Sequence, residues 1–551
     1  MNFTWDPPSI NYRYTLLATS SDPEGKEFSK PSLGIFAHDG NNSTNIIMPD
    51  RRITSGWSPG TVWIDEKPNI PESEKFKMMA LYYWNCPALA EHRGACTYAF
   101  ASPDGIQWKL LGGNSSYIGS DSQDVAMWDA SIGKYVAFRR NHCGPQCANT
   151  TGSLCVEYAA GRSDNRNLST CSYECTGNNC HGCLGFKNQT CGVDTDCPPG
   201  PGGCHPTNNS GGQLFCIDGI CQTKDHAATA CWKPVGTEPY CGKAMQSVRH
   251  VGRCVADSLT SFPQTEEDCP SVLSFDSDDK PSTDVYTSQV MRYSDTTWLA
   301  FPAFFTHYPS PPAWPLPEDG VWETRIMHSK DHGLTWKYIG DDRFAHGEDR
   351  SAFLAKGPMG GLPIPNEMEV PSLDPETWNS GMTAAVRGYV VRRDQIVMYA
   401  WGTRGRHGQP ACGNANGCGG EIRRMTLRID GWASLATDTA KWSGGTATTI
   451  LLAVPRGASC LQINAQTGVG GQIAIGLLDT AGVALPGLGL NASIPFVGDS
   501  VTHIMAWQAH GLNLKHLAGT QVALELMLSD AKLFSFAFAS CTFASRLTDE
   551  L

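Results

Sequence analysis

The chain has no run of about 18 or more apolar residues, so no stretch of it reads as a membrane span. It also lacks a Gly-x-Ser-x-Gly elbow, a phosphate-cradling glycine loop and a His-Glu-x-x-His pair. Those absences remove the usual signatures of elbow-type serine hydrolases, nucleotide binders and zincins. Charge is sparse: Asp, Glu, Lys and Arg are 17% of 551 residues, and the formal net charge is −12. A nucleic-acid partner calls for a basic field, so none is expected. MNFTWDPPSI at the N-terminus has neither the basic start nor the apolar stretch of a signal peptide, so any leader is expected outside these residues.

Glycine (57), proline (35) and cysteine (22) are plentiful. The first two suit a turn-rich β protein rather than a helical one. Sixteen of the cysteines lie between Cys143 and Cys269, too dense for a reducing cytosol. N-glycosylation acceptor patterns start at Asn2, Asn42, Asn114, Asn149, Asn167, Asn188 and Asn491. Together these predict a secreted protein or one held in the secretory-pathway lumen. The closing Thr548-Asp-Glu-Leu551 is a loose match to a retrieval tail.

Residues 121–140, DSQDVAMWDASIGKYVAFRR, hold a polar head, a short apolar strand, a turn able to use Gly133 at positive φ, and a second apolar strand. The pattern recurs. Thr61–Asp65, Lys77–Trp84 and Ala95–Ala101 precede the turn SPDGIQW at 102–108. Tyr286–Tyr293, Trp298–Phe301 and Thr324–His328 precede SKDHGLTW at 329–336. Thr383–Val386, Gln395–Trp401 and Ile422–Leu427 close in Asp430-Gly-Trp432. In the second copy the third strand, Ser247–Ala256, is delayed by an insert and followed by Asp257–Phe262. Four repeats of about four strands are a propeller signature. Strands expected at Tyr14–Ala18 and Leu33–Ala37 would make a fifth blade. The expected architecture is therefore all-β, with a five-bladed β-propeller over 1–140 and 247–435.

The insert at 141–246 reads as a disulfide-stapled module. Cys180-His-Gly-Cys183 fits that reading better than a zinc site. Such a module suits contact with a protein partner. After Leu435 charge falls and Gly, Ala, Thr and Leu dominate. Strands at Thr446–Val454, Gln472–Leu478, Val501–Trp507, Gln521–Leu528 and Leu533–Ala539 predict a β-sandwich over 436–551.

A propeller brings the starts of its inner strands to one axis, and here those starts are polar. Asp121, Gln123 and Asp124 open the second copy; Asp284, Tyr286, Ser288 and Gln289 the third; Glu367, Glu369, Asn379 and Ser380 precede the fourth. Glu323 stands just ahead of the third strand of its copy. Cleaving a glycosidic bond takes one carboxylic acid and one carboxylate, and clustered carboxylates push their pKa values apart. Asp121 and Asp284 are the candidate base, nucleophile or modulator, and Glu323 the candidate acid. Asp124, Arg139 (or its neighbour Arg140), Tyr286, Gln289, Glu369, Arg406 and His407 are candidate contacts to a carbohydrate. Asp65 and Asp129 end strands before turns and read as turn residues. No cofactor is expected, though acidic strand starts also suit a structural cation. The rival reading is a glycan-binding or structural protein on the same scaffold.

The strings SPDGIQW, DSQDVAMWDASIGKYVAF, TDVYTSQV (283–290), WNSGM (378–382), GRHG (405–408) and LLDTAG (477–482) resemble proteins labelled glycoside hydrolase family 32-like. The resemblance spans roughly 30–140 and 247–540. It implies a five-bladed propeller followed by a β-sandwich, and a glycosidase. The Trp-Met-Asn-Asp-Pro-Asn-Gly, Arg-Asp-Pro and Glu-Cys signatures of invertases are absent, so their nucleophile and acid do not carry over. Asp121 and Asp284 or Glu323 match only in neighbourhood. The Ser-x-Asp-x-Gly-x-Thr-Trp turn also resembles sialidases, whose Tyr–Glu scheme would take Tyr286 with Glu323 or Glu369.

Overall fold

Val125–Asp129 and Lys134–Cys143 pair antiparallel in the register Val125↔Phe138 to Asp129↔Lys134, and Gly133 closes the turn at φ 61°. This hairpin belongs to a computed structural model. The residues it describes are 15–38, 40–48, 57–82, 96–112, 117–118, 124–143, 174–176, 179–181, 215–217, 220–222, 248–263, 269–274, 283–308, 319–339, 352–354, 378–405, 420–437 and 444–541. Among them the secondary structure is β, with only short 3-10 turns, and no helix is long and apolar enough to cross a membrane. Two compact units are formed, residues 1–388 with 398–424, and 389–397 with 425–551.

The first unit holds consecutive antiparallel meanders. Sheet 1 is Trp57–Ile64, Phe76–Tyr82, Cys96–Ser102 and Lys109–Leu110. Sheet 2 adds Val248–Ala256 and Ser271–Leu273 to the opening hairpin, so the chain leaves after Cys143 and returns to the same edge at Val248↔Cys143. Sheet 3 is Thr283–Ser294, Thr297–Tyr308, Asp319–Arg325 with Met327–Ser329, and Lys337–Tyr338. Sheet 4 contains Met382–Ala385 and Gln395–Thr403 and touches sheet 3 through the parallel pair Trp322↔Met382. Each two-residue alternation gives a sheet two apolar faces, and each face is buried by the next sheet. Trp63, Met79 and Ala99 of sheet 1 pack with Ala126, Tyr135 and Ala137 of sheet 2. Val125, Val136 and Phe138 pack with Val285, Trp298 and Phe304 of sheet 3. Phe305 and Trp322 pack with Met382 and Trp401 of sheet 4.

The N-terminal strands differ from expectation. Thr15–Leu16 pairs with Ile46–Met48, while the 33–37 stretch is not a strand. Gly34 at φ 67° turns the chain there. This segment meets two sheets: Met48 packs with Met78, Ala80 and Phe100 of sheet 1, and Phe28 meets the Tyr399 ring of sheet 4 edge-on at 5.6 Å. Tyr399 Oη donates to Gly25 O at 2.7 Å.

The two expected Asp turns share one geometry. Ser102 and Ser329 Oγ donate to Asp104 and Asp331 Oδ1 at 2.9 and 2.7 Å. The same carboxylates accept backbone N–H groups of Ile106 and Gln107, and of Thr335. Trp108 and Trp336 Nε1 donate to Gly105 O and Gly333 O. A third, degenerate copy lies at Ser20–Phe28: Asp22 accepts from Glu24 N and Lys26 N, with Ser20 Oγ accepting from Asp22 N and Phe28 standing where the others have Trp. Trp336 of sheet 3 packs on Phe138 of sheet 2, as Phe28 packs on Tyr399.

In the second unit the strands expected at Gln521–Leu528 and Leu533–Ala539 are one, Gln521–Ala539. Gln472–Leu478 is likewise the end of Cys460–Leu478. The two pair along their whole lengths, with bulges at Asn464/Ala465 and Thr467/Gln472 absorbing the break in pattern. Gly445–Thr448, Leu452–Ala453, Leu435–Ala436 and Asp499–Ile504 complete a six-stranded sheet, and Ser493–Ile494 pairs with Ala506–Trp507. Leu461, Ile463, Ile475, Leu477, Trp507, Leu524 and Leu526 share one core. Asp479 Oδ1 accepts from Ala481 N and Val483 N, closing the LLDTAG turn. Cys254–Cys269 and Cys460–Cys541 are disulfides. The insert contributes two hairpins in which Cys175 faces Cys180 and Cys216 faces Cys221.

Burial raises the Asp331 carboxyl pKa, but hydrogen bonds from the Thr335 hydroxyl and N–H and from Ser329 outweigh that and hold it at about 2, below its ordinary 3.8. A depressed folded value contributes stability that is complete above about pH 4 and is lost as pH falls toward 2. Asp331→Ala is therefore expected to cost about 1–2 kcal/mol at neutral pH. The gap to wild type in urea-unfolding midpoint should narrow between pH 4 and pH 2.

Candidate functional site

Antiparallel register sends both ends of each hairpin to known places. The start of Val125–Asp129, the end of Lys134–Cys143 and the start of Val248–Ala256 lie at one end of sheet 2. That end holds Asp124, Arg139, Arg140, Arg249 and His250, all buried. The start of Thr283–Ser294 brings Asp284 and Tyr286 to them. Arg249 N donates to Asp284 Oδ2 at 3.2 Å, and Arg249 Nη1 lies 3.5 Å from the same oxygen. Arg140 Nε donates to Tyr286 O at 2.7 Å. The Tyr286 ring lies under two guanidiniums, Arg140 at 3.9 Å and Arg249 at 4.8 Å from its centre, and against Trp322 at 4.3 Å. A register shift between Val285 and Thr287 leaves Tyr286 out of the ladder, the kind of irregularity that re-aims a side chain.

Asp124 is held by two threonines of sheet 1. Thr97 Oγ1 donates to Asp124 Oδ2 at 2.7 Å, and Thr61 Oγ1 to Asp124 O at 2.8 Å. Gln289 is buried further along its strand. Glu323 accepts from Arg325 Nε at 3.1 Å, and the Arg325 guanidinium lies over Phe304 at 4.0 Å. The register runs Asp284↔Phe305↔Trp322 in one row and Val285↔Phe304↔Glu323 in the next. Adjacent rows point to opposite faces, so Asp284 and Glu323 stand on opposite faces of sheet 3. Asp121, Glu369, Arg406, His407, Asn114, Asn149, Asn167 and Asn188 lie outside the described residues.

The other end of the sheets is occupied by closing contacts. Asp65 Oδ1 accepts from Lys67 N, and Asp129 Oδ1 from Ser131 N, as turn residues do. Asp65 also accepts from Tyr135 Oη at 2.6 Å and lies 3.5 Å from Lys77 Nζ; burial and that hydrogen bond push the Tyr135 phenol pKa up. Among the described residues no three His, Cys, Asp or Glu side chains come together to hold a metal.

No family model matches the chain, and no curated protein matches it. Several solved structures do, and they are glycosidases. The α-L-arabinofuranosidase of glycoside hydrolase family 93 from Fusarium graminearum, in complex with arabinobiose, shows 9% identity over 71% of this chain and 84% of its own, with a TM-score of 0.27. A glycoside hydrolase family 32 member from Bifidobacterium adolescentis shows 9% identity over 87% and 78%, with a TM-score of 0.26. A B. megaterium levansucrase variant shows 10% over 69% and 84%, with a TM-score of 0.23. A likeness at these scores carries no further argument.

Arg249, His250 and Arg325 were not among the residues singled out from sequence. The signal was present: Arg249-His250 opens the strand that pairs with Arg139-Arg140, but the insert separates the two pairs. Arg249→Met is expected to cost about 3 kcal/mol, because it removes a guanidinium 3.5 Å from the buried Asp284 carboxylate. Adding Asp284→Asn should return part of that loss; thermal unfolding of both variants checks it.

Proposed function

We propose that the chain is a secretory-pathway glycoside hydrolase built on a five-position β-propeller ring followed by a β-sandwich over 436–551. The ring reading is supported by the N-terminal segment, which meets sheet 4 through Phe28 and sheet 1 through Met48, as a fifth blade between them would. The long bulged strands wrapped on one core support the sandwich. Disulfides within both units and the dense cysteine of 141–246 support an oxidising compartment, with the chain a glycoprotein.

One observation carries the enzymatic reading: buried carboxylates, guanidiniums and a tyrosine from sheets 2 and 3 converge at one end, while the opposite end is used up by turn closure. Isolated buried charge is costly and is kept where it is paired or used. In this reading Asp284 and Asp121 form the working carboxylate pair, with Glu323, whose row shares the sheet-2 face of sheet 3 with Val285 and Phe304, as the alternative acid. Tyr286, Arg140 and Arg249 hold the sugar, and Asp124, Arg139 and Gln289 support them, with Glu369, Arg406 and His407 completing the rim. Protonation of the leaving oxygen by one carboxyl and attack by, or water activation from, the other then cleaves the glycosidic bond.

A second reading has its own support. Asp284 and Glu323 are each held by an arginine, an arrangement that also serves a rigid glycan-binding surface without cleavage. Turnover on a panel of oligosaccharides separates the two. The enzyme reading expects hydrolysis of at least one glycan, falling by 100-fold or more in Asp121→Asn and in Asp284→Asn, on the order expected for lost acid–base chemistry. Binding without hydrolysis, equal in wild type and both variants, would establish the second reading instead.

The ring reading makes a separate prediction. Tyr399→Phe removes the hydrogen bond to Gly25 O and is expected to cost about 1 kcal/mol. Amide exchange should quicken across residues 17–29 and 46–48 and stay unchanged in sheets 2 and 3.

A further inference from the structure

Residues 480–498 of the second unit carry no Asp, Glu, Lys or Arg, although Asp479 and Asp499 bound them. Leu488 and Phe496 go into the core, but much of the rest is surface. Val483 is 61% exposed, Ile494 49% and Val497 65%. Soluble surfaces normally break such an area with charge, and a charge-free apolar surface is an association hazard. In its middle stands Asn491, exposed, in the 3-10 turn Leu490–Ala492, as the first residue of Asn491-Ala492-Ser493. Gly489 lies between the Asn491 amide and Ala484: a Cβ built on it would come within 3.2 Å of Asn491 Oδ1 and 3.3 Å of Ala484 Cβ. The amide thus lies close to Ala484, and the exposed Val483 and Ile494 stand one residue from Ala484 and three from Asn491 along the chain.

We infer that Asn491 carries an N-linked glycan and that this glycan covers the apolar surface around it. The inference rests on the secretory-pathway reading above and adds to it the site and the role. Ser493, the hydroxyl of the acceptor pattern, is buried in the fold and its Oγ accepts from Ile475 N at 3.1 Å. Transfer therefore precedes folding of this unit, when the hydroxyl is still accessible. Once folded, the unit holds the Asn491 side chain in solvent, where a bulky hydrophilic chain displaces nothing. The sugar then supplies the hydration that this stretch lacks in charge.

The test is to secrete the full chain from a eukaryotic host and map all the acceptor asparagines by mass spectrometry before and after enzymatic deglycosylation of the folded protein. The expected result is an occupied Asn491. Asn491→Gln is expected to lose one glycan's mass, bind more of a hydrophobic dye and begin aggregating at a lower temperature. Wild type deglycosylated after folding should match the variant, which separates shielding from any effect on folding. An unmodified Asn491 beside occupied Asn42 or another acceptor overturns the inference and leaves the secretory reading standing. No occupied acceptor at all overturns both. An occupied Asn491 whose removal changes neither dye binding nor aggregation overturns the shielding role.

Discussion

The first unit depends on burial of one sheet by the next. A meander of three or four strands has two apolar faces and cannot cover either by itself. Trp298, fully buried, makes the point: it lies on sheet 3, yet the Phe138 ring it meets belongs to sheet 2. The same logic runs from sheet 1 to sheet 4 and leaves the outer faces of those two sheets to be covered. The N-terminal segment contributes cover, with Met48 packed against sheet 1 and the half-exposed Phe28 against the Tyr399 ring of sheet 4. Its Asp22 turn repeats the geometry of the Asp104 and Asp331 turns, so the same local device sets the aromatic anchor each time; N–H groups of Glu24 and Lys26 hold the Asp22 carboxyl below its ordinary range.

Stacking of this kind fixes where polar side chains can go. Sheet faces are filled, so charge collects at strand ends. The two ends then diverge. At one, carboxylates are satisfied by backbone N–H groups, by Tyr135 and by Lys77, all of which close turns or bind neighbouring strands. At the other, guanidiniums of Arg140 and Arg249 lie on Tyr286, and Asp284 pairs with Arg249. Replacing such a pair with apolar residues is often neutral or stabilising, so stability alone is a weak reason to keep it.

Much of this was legible in the residues. The alternation and Gly133 of 121–138 announced their hairpin, and the Ser-x-Asp turns their closure. Other parts were not legible, for physical reasons. The Asp22 turn has Phe28 in place of Trp and its glycine three residues after the Asp rather than one or two, so the pattern dissolves while the hydrogen bonds persist. Gln521–Ala539 looked like two strands because Asp530, at φ 41°, interrupts the alternation that a bulge then absorbs. Arg249 was hidden by the insert, which parts it in sequence from the strand it pairs with. The facing of Asp284 and Glu323 could not be counted along the chain, since it depends on pairing across three strands.

The proposed cleavage needs Asp284 to work with a second carboxylate at the shared end of the sheets. An experimental structure of the chain with a bound oligosaccharide tests it most directly. The expected result is a sugar in contact with Tyr286 and the carboxyl groups of Asp121 and Asp284 about 5–10 Å apart across its glycosidic bond, the separation that glycoside cleavage requires. An Asp121 carboxyl turned away from Asp284, or a sugar seated elsewhere, would contradict it.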